Sequence, residues 1–164
     1  MGRYELGMAC LNGHAVNSAA DTNPVQNAKC CAKCGEETIT ACEQCGANIR
    51  GNYDVPGVIS IGFGWTPPAY CHDCGGPYPW TLRSKDAISA AIDAIDDLYP
   101  DEREQLRKSI PDILTETPMS QVAALRFKKA IARIGAVGGK VMTDVLAKVA
   151  AEVVKESLGI KQSP

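Results

Sequence analysis

Three copies of a C-x-x-C-G unit hold most of the reactive chemistry of this chain: Cys31, Cys34 and Gly35; Cys42, Cys45 and Gly46; Cys71, Cys74 and Gly75. A fourth half-site, Cys10-Leu11-Asn12-Gly13-His14, carries a histidine where the second cysteine would stand. Two cysteines separated by two residues reach one ion from a single turn, and two such turns complete a tetrahedron. Cys10, His14, Cys31, Cys34, Cys42, Cys45, Cys71 and Cys74 thus make eight ligands. That is the complement of two structural Zn2+ ions, with no coordination position left for water or substrate. The glycine after each pair suits the sharp bend around a metal, where only glycine takes a positive φ without steric cost, and Gly13 serves the first half-site similarly.

Spacing alone leaves the pairing of half-sites open. Adjacent pairing joins Cys10 and His14 to Cys31 and Cys34, and Cys42 and Cys45 to Cys71 and Cys74. A RING-like cross-brace joins the first half-site to the third and the second to the fourth. Cys30 stands outside the pattern: as a ligand in place of Cys31 it would form a C-x3-C pair unlike the two later copies, so it reads as a buried, unliganded thiol. His72, inside the last knuckle, reads as facing solvent.

The seven residues between Cys34 and Cys42 resemble the interval of the double zinc ribbon, a family that pairs its sites sequentially. More closely, C-x-N-G-H at Cys10–His14, C-x-x-C-G at Cys31–Gly35 and Cys42–Gly46, I-R-G at Ile49–Gly51 and C-x-x-C-G-x-P-Y-P-W at Cys71–Trp80 resemble a bacterial zinc-ribbon family of unknown function. The resemblance spans about the first half of the chain and implies a ribbon fold without an established activity.

Short strands must position these half-sites. RYELGMAC over residues 3–10 reads as a strand leading into the first knuckle, residues 15–27 as a polar loop, Thr38 to Thr40 as a connecting strand, and Val58 to Ile61 as another. Trp65, Tyr70 and Trp80 read as aromatic cover for the metal sites.

At Ser84 the character changes. Ile88, Ala91, Ile92, Ile95 and Leu98 recur at helical spacing, with Ser84 as a cap and Pro100 as the end. A second helix is expected over 101–110, stopped by Pro111. A third is expected from Thr117-Pro118 to about Ile134, burying Val122, Leu125 and Ala130 or Ile131 and exposing Arg126, Lys128, Lys129 and Arg133. After a break at Gly135, Gly138 and Gly139, a final helix over about 140–158 carries Val141, Val145, Leu146, Val149, Val153 and Val154, with Gly159 closing it. The expected fold class is α+β: a double zinc-ribbon domain over 1–82, then a helical hairpin or small bundle over 83–164.

All eight cysteines of the 164 residues lie between Cys10 and Cys74. Residues 1–20 have neither a basic start nor an unbroken apolar run, so no export signal is expected and the compartment is expected to be the reducing cytoplasm. Closely spaced cysteines there read as metal ligands rather than disulfides. No apolar run is long enough to span a membrane.

The net charge of −2 is unevenly spread. Residues 1–82 carry four Lys and Arg against seven Asp and Glu, whereas residues 120–164 carry eight against three. An acidic ribbon cannot displace the counterions of nucleic acid, so nucleic-acid or anionic-membrane binding is an alternative only for the basic C-terminal helices. Two histidines and fully ligated metal sites give little material for catalysis, so the chain is expected not to be an enzyme. The reading is a zinc-ribbon interaction or scaffold protein with a protein partner, or a second copy of itself, docked on the helices.

Overall fold

Between metal half-sites the chain has room for strands of only two to five residues. The computed structural model describes residues 2–57 and 64–160, and the strand expected at Val58 to Ile61 lies outside the described residues. By contact density the chain divides into two compact units, Met1–Leu82 and Arg83–Pro164.

The first unit contains β1 (Arg3–Leu6), β2 (Met8–Cys10), β3 (Ala15–Asn17), β4 (Thr38–Ile39) and β5 (Arg50–Asp54). Among the described residues the strand pairs are all antiparallel: β1 with β5 in one sheet, and β3-β2-β4 in the other. The strand expected over residues 3–10 is therefore two strands that join different sheets at Gly7. A side chain there would sit 2.5 Å from the Trp65 ring and 3.2 Å from the Gly51 backbone, so only glycine lets the indole lie across the crossing point. Gly51 is equally constrained, since a Cβ would fall 2.0 Å from the Ser18 carbonyl oxygen.

The loop expected over residues 15–27 begins instead with β3. Its polar composition hides the strand, because Asn17 is buried yet fully bonded: its amide nitrogen donates to the Asn23 carbonyl at 2.8 Å and to Asn27 Oδ1 at 2.7 Å, and its Oδ1 accepts from the Ala19 amide. Burial costs a polar side chain little when every hydrogen bond is replaced.

Helix α1 (Pro79–Asp93) starts five residues before the expected Ser84 cap. Proline costs nothing in a first helical turn, where its missing N–H has no partner to lose, and Thr81 Oγ1 anchors the start by donating to the Ala69 carbonyl at 2.6 Å. The helix stops well before Pro100. There Arg103 turns back and donates to the carbonyls of Ile92 (2.8 Å), Asp93 (3.2 Å), Ile95 and Leu98 (3.1 Å), replacing the bonds that continued helix would have made.

In the second unit, Pro100 opens α2 (Pro100–Lys108), and Pro111 lies in the first turn of α3 (Ile110–Leu114) rather than stopping a helix. Helix α4 (Ser120–Arg133) packs against α2, α3, α5 and α6, the last two spanning Ala136–Val149 and Glu152–Leu158. The buried face of α4 is Ala123, Ala124, Phe127 and Ala130. The expected core residues Val122 and Leu125 are exposed, because small alanines let neighbouring helices come close on the opposite side.

The long final helix is two helices. Ala150 is extended, and the Ala151 amide donates to the Ile113 carbonyl at 2.9 Å, which trades helical continuity for a bond to α3. Gly138 and Gly139 lie within α5; at Gly139 a Cβ would stand 3.3 Å from the Ile131 carbonyl of α4. Met142, Leu146 and Val154 are buried, and Val145, Val149 and Val153 pack against the same core. Val141, expected on the same apolar face, is exposed. Gly159 does close α6, at φ 72°.

Candidate metal centres

The four half-sites are variations on one turn. In the three C-x-x-C-G units the first cysteine's carbonyl accepts from the glycine amide (2.8 Å at Gly35 and Gly46, 3.0 Å at Gly75). The same cysteine's amide donates to the carbonyl one residue past that glycine: Glu36, Ala47 and Gly76, each at 2.8 Å. The residues flanking each turn pair across it as Cys30 with Glu37, Ala41 with Asn48, and Tyr70 with Pro77. The histidine half-site is one residue shorter: Gly13 donates to Cys10 at 2.8 Å, and Cys10 donates to His14 at 3.1 Å, so the glycine precedes the second ligand instead of following it. All four turn glycines have positive φ, between 71° and 80°.

These turns bring the eight ligands into two groups, Cys10-His14-Cys31-Cys34 and Cys42-Cys45-Cys71-Cys74, with ligand atoms within 4.8 Å of one another in each. Pairing is sequential; the cross-brace is not what the chain builds. In the first group Cys10 Sγ lies 3.7 Å from Cys34 Sγ, and His14 Nδ1 lies 3.5 Å from Cys10 Sγ and 3.6 Å from Cys31 Sγ. In the second, Cys42 and Cys74 sulfurs are 3.8 Å apart, and Cys45 and Cys71 sulfurs 3.6 Å.

A disulfide would need about 2.0 Å. A regular tetrahedron with metal–sulfur bonds of about 2.3 Å and metal–nitrogen bonds of about 2.0 Å has edges of roughly 3.8 Å between sulfurs and 3.5 Å between sulfur and nitrogen. The observed separations are those edges, so the residues fit a tetrahedral ion at each centre. Cys10, Cys31, Cys42 and Cys71 are buried, while Cys34, Cys45 and Cys74 reach the surface, so each centre has a packed side and a solvent side.

Proton affinities within the groups conflict. The Glu36 amide pulls Cys34 down to about 6, and the Cys74 and Asp73 amides pull Cys71 down to about 6. The Ala47 amide favours the Cys45 thiolate too, but burial and the Cys74, Cys71 and Cys42 sulfurs outweigh it and push Cys45 up to about 12. Burial likewise raises Cys10. Sulfurs this close cannot all lose protons unless a cation sits among them, and a bound divalent ion removes the conflict by deprotonating each ligand.

Cys30 is exposed, not buried. It occupies the position before the first ligand, equivalent to Ala41 and Tyr70, where the backbone pairs across the turn and the residue type differs among the three turns. His72 is exposed, as expected. Of the expected aromatic cover, Trp80 is buried and Trp65 partly so, but Tyr70 is 39% exposed. The covering role falls to Tyr78, 1% exposed, whose ring stacks on Trp80 at 4.6 Å and 13° in a cluster with Cys42 and Cys71. Trp80 in turn packs on the first centre, its Cβ 2.8 Å from where a Gly13 side chain would start, and its Nε1 donates to the Pro68 carbonyl at 2.9 Å.

The family model of DUF2321, described as an uncharacterized protein conserved in bacteria, matches residues 3–158. The chain belongs to this family. The match takes in both units of the DUF2321 chain, beyond the cysteine-rich half that carries the sequence resemblance. Within it, Ile49, Arg50 and Gly51 of the I-R-G segment have visible tasks: Ile49 is fully buried, the Arg50 carbonyl accepts from Trp65 Nε1 at 3.0 Å while its guanidinium lies 4.6 Å from the centre of the Tyr4 ring, and Gly51 passes the Ser18 backbone. No curated protein and no solved structure matches the chain. Among the described residues no helix is long and apolar enough to cross a membrane.

Proposed function

We propose that this is a non-enzymatic interaction protein of the bacterial cytoplasm, in which two structural Zn2+ ions order the cysteine-rich unit and the helical unit meets a protein partner. The closed ligand sets carry this reading: each group offers four protein ligands at tetrahedral spacing, and a catalytic metal would need one position open to water or substrate. Zinc is favoured because tetrahedra of four cysteines, or of three cysteines and one histidine, are its usual structural donor sets; iron shares only the all-cysteine set.

Support for a protein partner comes from α4, where Val122 and Leu125 are 40% and 51% exposed beside Met119 at 45%. Adjacent exposed apolar side chains suit a protein surface rather than a phosphate backbone. Nucleic-acid or anionic-membrane binding has weaker support, since much of the basic surface is engaged internally: Arg133 with Glu102, Arg126 with Ser109, Lys140 with Asp144 and Lys155 with Glu152.

Loading the chain with Co2+ tests the closed sites. A tetrahedral spectrum that added azide leaves unchanged supports the structural reading, and an azide-dependent shift would refute it. For the helical face, light scattering should give a particle heavier than the 17.4 kDa chain that V122K/L125K returns to monomer. A monomer in both cases would refute self-association through α4.

A further inference from the structure

Tyr78 holds a buried hydroxyl with no hydrogen-bond partner at ordinary geometry among the described residues. Native folds seldom leave such a group idle, because its lost hydration is then uncompensated. The ring cannot swing out to find water: it is stacked on Trp80, and the Tyr78 backbone is tied at both ends, its amide donating to Ala69 at 3.1 Å and its carbonyl accepting from Thr81 at 3.0 Å. Tyr78 packs in one buried cluster with Cys71 and Cys42 of the all-cysteine centre, and the Cys71 sulfur is the acceptor beside its hydroxyl.

We propose that Tyr78 is a positioning residue for the all-cysteine centre: its O–H donates to the Cys71 sulfur when that sulfur is a metal-bound thiolate. The inference rests on the metal reading above and deepens it. Four thiolates around a divalent ion leave two uncompensated negative charges, and Cys71 holds its share on the buried side, away from solvent. An O–H donor there withdraws charge from the sulfur, opposes its protonation and slows release of the ion. The Cys10-His14-Cys31-Cys34 centre needs less help, because a neutral imidazole replaces one thiolate, and the residue packed on its turn, Trp80, has its N–H committed to Pro68.

The test is Y78F in the full Co2+-loaded chain, which keeps the ring and its stack. Loss of the hydrogen bond raises the energy of the thiolate lone pair, so the sulfur-to-cobalt charge-transfer band of the all-cysteine centre moves to longer wavelength. Its ion passes to a competing chelator about tenfold faster or more, while the histidine-containing centre is unchanged. Mass-tagging of the freed thiols at Cys42, Cys45, Cys71 and Cys74 assigns the centre. W80F disturbs the same stack without touching the hydroxyl and leaves the band in place; an equal shift in W80F would overturn the proposal in favour of packing.

If Y78F does not fold, 3-fluorotyrosine incorporated throughout makes the phenol a stronger donor and moves the band to shorter wavelength. An idle hydroxyl predicts the opposite set of results: an unmoved band in both cases, wild-type release, and equal or higher thermal stability on deletion. That set would overturn the proposal. Absence of any charge-transfer band would instead remove the metal reading itself, and the proposal with it.

Discussion

Alanine at Gly13 and at Gly35 perturbs the same metal centre by different amounts, for reasons visible at each position. Gly35 has φ +76° and open space around the missing Cβ, so G35A suffers only the backbone penalty of a left-handed conformation. That penalty is about 1–2 kcal/mol, close to a tenfold change in affinity where metal binding and folding are one equilibrium. Gly13 has φ +80°, and its Cβ would also stand 2.8 Å from Trp80 Cβ and 2.9 Å from Cγ, atoms near the backbone that cannot move without the helix start. Overpacking of this kind adds about 1–3 kcal/mol. G13A should therefore weaken the Cys10-His14-Cys31-Cys34 centre by roughly a further tenfold or more. Competition with a chromophoric chelator under identical conditions measures both. Equal losses in the two variants would refute the packing of Trp80 on the first turn, and no loss in G35A would refute the need for positive φ.

R103A removes three partly buried hydrogen bonds to the carbonyls of Ile92, Ile95 and Leu98 and one exposed bond to Asp93. At about 1 kcal/mol for each partly buried bond, the helical unit should lose about 3 kcal/mol. Its melting temperature, followed by circular dichroism, should fall by roughly 12–24 °C while metal content stays at the wild-type level. Strong chelator should do the reverse, unfolding Met1–Leu82, whose small cores depend on the metal, while helical ellipticity from Arg83–Pro164 persists. C30S should retain full metal stoichiometry and C31S should lose one ion, counted by elemental analysis; the opposite result would exchange their roles.

What the sequence revealed followed the range of the forces involved. The knuckles were legible because a C-x-x-C-G turn is fixed by bonds between residues four or five apart, and the same bonds recur at Cys31, Cys42 and Cys71. The α+β class was legible because the change from short glycine- and proline-punctuated segments to helical periodicity is also local.

Partner choice between half-sites depends on sheet pairing across tens of residues, so sequential and cross-braced arrangements looked alike. The exposure of Cys30 has no local signal, because nothing in the neighbouring sequence says which side of a bridge position faces out. At Pro79 a helix begins inside a segment whose glycines and prolines suggest a loop, and its first turn is held by a bond to Ala69, distant in sequence. On α4, hydrophobicity pointed to Val122 and Leu125, but close approach of neighbouring helices favoured the alanines. The division of the last helix at Ala150 arises from a single bond between Ala151 and Ile113, for which the sequence has no signal. Nothing local separates Tyr78 from Tyr70, because their difference in burial is purely tertiary.

Native mass spectrometry of the freshly purified chain, with elemental analysis of the same sample, bears most directly on two tetrahedral ions held by seven sulfurs and one imidazole nitrogen. Two zinc ions per chain are expected, with eight free thiols after denaturation in chelator, Cys30 included. A folded, metal-free chain, or one whose cysteines are joined in disulfides, would contradict it.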